Sequence, residues 1–271
     1  MTVHEFYNLI EIPEEMVKGA FEASAYVDAH MEEISPLLDK MMVLNTMESA
    51  YGELVKLLGE DNGNFKMFYC QSLCAVKIYD RYEEMGVSAE IFKETMKCFT
   101  RFAKECLVRN GSCYFDRGWW TYRQISMNLL RIGTLEYEFC NFHGEDVISI
   151  HIPSDADLTA ESITASVKAS EEFIKKYFPE NAGRKYVCES WLLSPKLREF
   201  LPETSKIRGF QDRFDIKEVI PDNMDCLEWL FKSTDKVPFT DLPEDTSLQR
   251  SVKPFIVNGG KLGAAFGIMR I

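Results

Sequence analysis

The residues able to do chemistry gather in the second half of the chain. His151 closes the run Val147-Ile-Ser-Ile-His-Ile152, and Ser154-Asp155-Ala156-Asp157 follows, with Thr159 placed to start a helix. An imidazole titrates near neutral pH and can act as a general base, but on a half-buried strand it can equally be a hydrogen-bonded structural group. A loop entering a helix N-terminus presents free backbone N–H groups. Ser154, Asp155, Ala156 and Thr159 are therefore a candidate cradle for a phosphate or pyrophosphate. The alternative is a plain cap, in which Asp155, Asp157 and Thr159 only hold the helix start. Further on, Glu189 sits among apolar neighbours in the stretch 186–193. Desolvation there can raise a carboxyl's pKa enough for it to accept a proton. It can also form an ion pair. Arg123, Gln124, Arg131, Gln211 and Arg213 are candidates to pair with it or to contact a substrate, and Ser190 and Trp191 are its neighbours on the same strand.

Other chemistries lack their residues. The eight cysteines form no CxxC pair, and the four histidines (His4, His30, His143 and His151) are too scattered for a multi-histidine centre, so no metal is expected. The cysteines lie in apolar, regularly structured stretches and read as buried free thiols. No P-loop, dinucleotide-type glycine loop or GxSxG elbow occurs.

Two kinds of element must position these residues. Of the ten prolines, only Pro13 and Pro36 precede Gly118, which predicts an all-helical first domain, 1–118, and a strand-bearing second domain, 119–271. In the first, Ser88 caps a helix from about Ala89 to Asn110, stopped at Gly111, with Phe92, Met96, Phe99, Ala103 and Cys106 on one face. Similar stripes predict helices over Phe65–Met85 and Pro13–Ala29.

In the second domain, a helix around Trp119–Arg131 precedes the alternating strand Leu135–Asn141. A hairpin turn at Phe142-His143-Gly144-Glu145 leads back through Val147–Ile152. That strand puts Ile148, Ile150 and Ile152 on one face and Val147, Ser149 and His151 on the other. A helix over Ala160–Tyr177 and a strand at 186–193 follow, then a short helix after Pro195 and a strand near Ile207–Phe214. Helices over Asn223–Lys232 and Thr246–Val257 and a last strand, Lys261–Arg270, complete the pattern. The fold class is α+β: a helical domain, then a mixed β-sheet flanked by helices.

Composition bounds the partners. With 31 basic and 43 acidic residues among 271, the net charge of −12 opposes a phosphate backbone, and nucleic acid is not an expected partner. The first residues are acidic where a signal peptide is basic, and no apolar stretch approaches the roughly 18 residues of a span. A cytoplasmic protein with no membrane partner follows, its oligomeric state left open.

The run Tyr122–Phe139, Ile150-His-Ile-Pro-Ser-Asp-Ala156 and the stretch Cys188–Pro195 resemble a bacterial family of acyltransferase domain-containing proteins. Leu201–Ile207, Phe210–Phe214 and Thr246–Arg250 are similar to the same family, so the likeness spans the second domain. Its members join a helical N-acyltransferase N-terminal domain to a GNAT-like C-terminal domain. The resemblance implies transfer of an acyl group from acyl-CoA or acetyl-CoA to a small amine, with the donor where two strands splay. Within that chemistry His151 or Glu189 is the base and Tyr137 or Tyr186 a proton donor to the leaving thiolate. One motif departs. GNAT enzymes generally carry a Q/R-x-x-G-x-G/A turn at the pyrophosphate, whereas Pro153–Thr159 has no glycine, which makes close backbone approach harder. A non-catalytic small-molecule-binding or regulatory module on the same fold is the second reading, and an interaction scaffold built on the aromatic-rich helical domain the third.

Overall fold

The computed structural model describes residues 1–233 and 236–270. It divides into two compact units, Met1–Arg131 and Ile132–Ile271.

The first unit is helical: α1 (Val3–Leu9), α2 (Glu14–Ala29), α3 (Met31–Met41), α4 (Met47–Leu58), α5 (Phe65–Met85), α6 (Ala89–Met96), α7 (Cys98–Asn110) and α8 (Gly118–Ile125). The long α5 is its spine, packing against α2, α3, α8 and α1. Phe6, Phe68, Phe92 and Phe99 are fully buried, and Phe6 meets Phe99 edge-on at 5.9 Å. Each such side chain contributes about 1.5–3 kcal/mol of burial, the source of a bundle's stability when helix propensity is neutral. Polar groups taken inside are paired. Tyr7 donates to Ser72 Oγ at 3.0 Å, and Gln71 Nε2 donates to the carbonyl of Gly118 at 2.8 Å.

Two expectations change here. The single helix over 89–110 is two helices, because ψ at Lys97 relaxes to −10° and opens one turn. The helix expected over Trp119–Arg131 ends at Ile125, since Met127 takes a left-handed φ of 57° and Leu129–Ile132 enters the sheet as β1. Because α8 packs on α4 and α5, it belongs to the first unit. The units thus divide at Arg131/Ile132, whereas the sequence pattern put the boundary at 118/119.

The second unit holds β2 (Leu135–Phe142), β3 (Glu145–His151), α9 (Ala160–Tyr177), β4 (Tyr186–Ser190), α10 (Lys206–Gln211), β5 (Phe214–Ile220), α11 (Cys226–Trp229), α12 (Ser247–Val257) and β6 (Ala264–Met269). The sheet order is β1-β2-β3-β4-β6-β5, with β3 and β4 parallel and β2–β3, β4–β6 and β5–β6 antiparallel. The hairpin turn falls at His143 and Gly144, whose φ of 51° and 85° suit a two-residue turn with both central residues left-handed.

The strand expected near Ile207–Phe214 is instead the helix α10, followed by β5. Ser205 Oγ accepts from Ile207 N and caps α10, which buries Phe210 and Gln211 together. Five residues are too few for period two and period 3.6 to be told apart.

The helix α9 lies on one sheet face. Thr159 caps it, Tyr137 OH is 2.9 Å from Ser166 Oγ, and Tyr186 OH is 2.9 Å from Ser170 Oγ. Gly133, at φ 68°, lets the chain pass beneath it, where a Cβ would lie 3.0–3.1 Å from Ser166. A second core gathers Leu197, Leu227, Phe231, Val252, Ile256 and Leu262.

Candidate active site

The strand ladder between β3 and β4 is short. It pairs Ile148 with Tyr186 and Ser149 with Val187, and then stops. On their outer sides both strands continue, β3 against β2 as far as Glu136↔His151 and β4 against β6 as far as Ser190↔Ala265. The two parallel strands therefore part toward their carboxyl ends. Ile148 N donates to the Lys185 carbonyl at 2.9 Å, so Lys185 turns its main chain toward β3, and by the period of two Glu189 does the same. The main chain of Glu189 thus points into the opening.

Register also assigns the faces. Tyr137 lies opposite Ile150 and Tyr186 opposite Ile148, so both tyrosines share the α9 face with those isoleucines. They are 1% and 4% exposed, and burial holds both hydroxyls protonated well above the usual range. His151 and Glu189 stand on the other face, at equivalent positions counted on from Ser149↔Val187. The structure therefore brings the two candidate bases to one face of the opening and turns the two candidate proton donors away from it.

His151 is not alone. Its Nε2 lies 2.7 Å from a carboxylate oxygen of Glu138 on β2, with the imidazole 25% exposed and the carboxylate side chain 12%. Glu136, buried, is directly opposite His151, and Glu189 is exposed. Sequence reading missed Glu138, although the signal was present. A hairpin turn centred between His143 and Gly144 puts Glu136 across from His151 and Glu138 one step along the same face.

The loop after β3 is a cap as built. Asp157 accepts from Thr159 N at 3.2 Å, from Thr159 Oγ1 and Ser162 Oγ at 2.7 Å each, and from Lys206 Nζ at 3.1 Å. The Ser162 and Thr159 hydroxyls, then Lys206, hold its carboxyl far below the usual range. Ser154 and Asp155 are exposed on the same loop, and Ala156 N closes a turn on the Pro153 carbonyl. Arg213 Nη2 reaches the Ala160 carbonyl at 2.8 Å and Thr164 Oγ1 at 2.9 Å, so two cations flank the first turn of α9. Lys206 and Ser162 carried no sequence signal, because α10 meets this loop only in three dimensions.

The remaining candidates are dispersed. Gln211 donates to the carbonyls of Leu192 and Ser194, tying down the segment after β4, and Ser190 Oγ accepts from Leu192 N. Trp191 opens the short 3-10 turn there. Arg123 lies over the Trp120 ring at 4.3 Å on α8 in the first unit, where Gln124 is buried. These two are not placed with the residues of β3 and β4.

Known proteins add the family. Residues 129–269 match the GNAT-like C-terminal domain and residues 1–127 the N-acyltransferase N-terminal domain. Among solved structures, an acyltransferase in complex with decanoyl-CoA and teicoplanin is similar at 21% identity and TM-score 0.82, covering 98% of this chain and 87% of that one. An acyltransferase mutant in complex with octanoyl-CoA is similar at 20% identity and TM-score 0.82, covering 99% and 87%. A further acyltransferase in complex with decanoyl-CoA covers both chains completely at 18% identity and TM-score 0.72. No curated protein matches the chain. The parted parallel strands, the helix N-terminus beside them and the two matched domains agree, and the chain belongs to the family that joins an N-acyltransferase N-terminal domain to a GNAT-like C-terminal domain.

Proposed function

We propose that the protein transfers an acyl group from acyl-CoA to a small amine in the cytoplasm. The observation that carries this reading is the parting of β3 and β4 after Ser149↔Val187. An extended, amide-bearing arm such as pantetheine can hydrogen-bond to strand edges there as an added strand would. The N-terminus of α9 begins eight residues after the last residue of the opened strand's ladder partner on β3, and Ser154, Asp155, Ala156 and Thr159, with Lys206 and Arg213 close by, are the groups proposed to receive the diphosphate. The structural relatives are acyltransferases holding decanoyl-CoA or octanoyl-CoA, which supports a CoA thioester as donor. The buried free thiols suit a reducing compartment.

The acceptor is proposed to be an amine because Glu136, Glu138 and Glu189 share the face of His151, where carboxylates favour an approaching ammonium. Once the amine is neutral, its lone pair forms the C–N bond and the thioester carbonyl becomes an oxyanion. Collapse then breaks the C–S bond. His151 takes the proton from nitrogen and returns it to the thiolate, giving amide and free thiol. Ser190, Trp191 and the exposed Glu189 are proposed to border the acceptor, with Glu189 as an alternative base. Tyr137 and Tyr186 are proposed as packing residues, since both hydroxyls face α9.

A non-catalytic binding module remains the second reading, favoured by Asp157, which already places a carboxylate at the α9 N-terminus. Calorimetric titration with CoA, acetyl-CoA and decanoyl-CoA separates the two. Micromolar binding, followed by thiol release on adding amines, is expected. Absence of binding up to about 1 mM, about 4 kcal/mol of affinity, overturns the donor site.

A further inference from the structure

One imidazole nitrogen of His151 is already committed. Its Nε2 is 2.7 Å from Oε2 of Glu138, a charge-assisted distance, and both side chains are largely buried. A carboxylate has only lone pairs to offer, so a hydrogen bond between the two places the proton on Nε2. In the neutral imidazole the other nitrogen, Nδ1, then carries the free lone pair. We infer that Glu138 is the positioning residue for His151: it fixes the Nε2–H tautomer and makes Nδ1 the atom that accepts the proton from the acceptor amine.

The placement follows from the hairpin. Glu138 and His151 sit on adjacent antiparallel strands, two residues apart in register, on the face away from α9. Side chains there stand close enough to meet along the diagonal. The hairpin turn at His143 and Gly144 thus builds the pair with no help from distant chain segments. As Nδ1 takes the amine proton, the imidazolium gains a carboxylate partner at once, and the same proton leaves from Nδ1 to the thiolate, so Glu138 itself never needs to be protonated. Two other carboxylates face the ring, Glu136 from β2 directly opposite and Glu189 from β4 at the equivalent position. Only Glu138 is within hydrogen-bond distance of Nε2 among the contacts described.

This inference rests on the acyl-transfer reading for its catalytic meaning, but the tautomer can be read without turnover. Nitrogen-15 NMR of imidazole-labelled full-length protein, assigned with His151→Gln, is expected to show the Nε2–H form for His151. In the Glu138→Gln variant the amide can donate instead, so the expected result is inversion to the Nδ1–H form and a lower imidazole pKa. Turnover is expected to fall 100-fold or more while the KM for acyl-CoA changes less than twofold, and Glu138→Asp is expected to recover part of the rate. A wild-type His151 in the Nδ1–H form, or a Glu138→Gln variant with unchanged tautomer and pKa, overturns the assignment. So does a Glu138→Gln enzyme with full turnover. If the wild-type tautomer and its inversion are both observed but no acyl-CoA and amine pair is ever turned over, the positioning stands and the acyl-transfer reading is the one that fails.

Discussion

Asp157 and Ser162 meet at 2.7 Å across the first turn of α9, so a carboxylate of the chain itself already occupies the end of the helix dipole that attracts anions. The same Asp157 receives Thr159 and Lys206. Replacing it by Asn keeps the shape and removes the charge. CoA is expected to bind roughly two- to fivefold more tightly to Asp157→Asn, the scale of a charge at a helix terminus, as read by calorimetry. Weaker binding would mean that Asp157 instead holds the loop in its receptive form.

The pH dependence of that residue has a definite sign. Its folded pKa is held below the ordinary carboxylate value, so its contribution to stability is present above about pH 4 and is lost as pH falls below that. The melting temperature of Asp157→Asn is therefore expected to differ most from wild type at neutral pH and to converge with it under acid. A difference that grows on acidification would contradict the sign.

Tyr137 tests the division of the sheet into two faces. Tyr137→Phe removes a hydrogen bond to Ser166 and is expected to cost about 1 kcal/mol in denaturant unfolding, with acyl transfer retained within about twofold. A collapse of turnover in a folded variant would restore the hydroxyl as proton donor.

Gly133 and Gly144 differ in surroundings while sharing a positive φ. At Gly133 a Cβ meets Ser166 at 3.0–3.1 Å, whereas at Gly144 nothing lies within 4 Å. Gly144→Ala is expected to lose about 1 kcal/mol from the backbone alone. Gly133→Ala is expected to lose about 2 kcal/mol or more, because α9 must also shift. Equal losses in urea titrations would show that the contact with α9 is loose.

The thiols give a fourth check. Burial pushes Cys70 up to about 12 and Cys226 up to about 11, and it raises Cys74 and Cys188 further. These four are expected to resist iodoacetamide at pH 8 in the native protein and to react fully in urea, as counted by intact mass.

Much of the framework was legible along the chain because its signals are local. Thr159 and Ser88 cap the helices they announce, α5 spans Phe65–Met85 as its apolar stripe requires, and the His143-Gly144 turn joins the expected strands. Misreadings fall where a short segment has no decisive period. The five residues from Ile207 to Gln211 fit either element, and the α8–β1 junction turns on one left-handed residue, Met127, that no glycine marks. His151 and Glu189 were visible by type and strand phase, while Lys206 became part of the α9 cap only through the packing of α10.

By itself the sequence determined the order of helices and strands, the side of each strand on which His151, Glu189 and the tyrosines lie, and the caps. These depend on neighbours a few residues away, through the periods of helix and strand. Tertiary structure decided that β3 and β4 run parallel and part after Ser149↔Val187, and that Lys206 and Arg213 arrive at the start of α9. It also decided that Glu138 holds Nε2 of His151. A parallel pairing joins segments separated by a whole helix, and its length is set by how α9 and β6 hold the two strands, so no local pattern can encode where it ends.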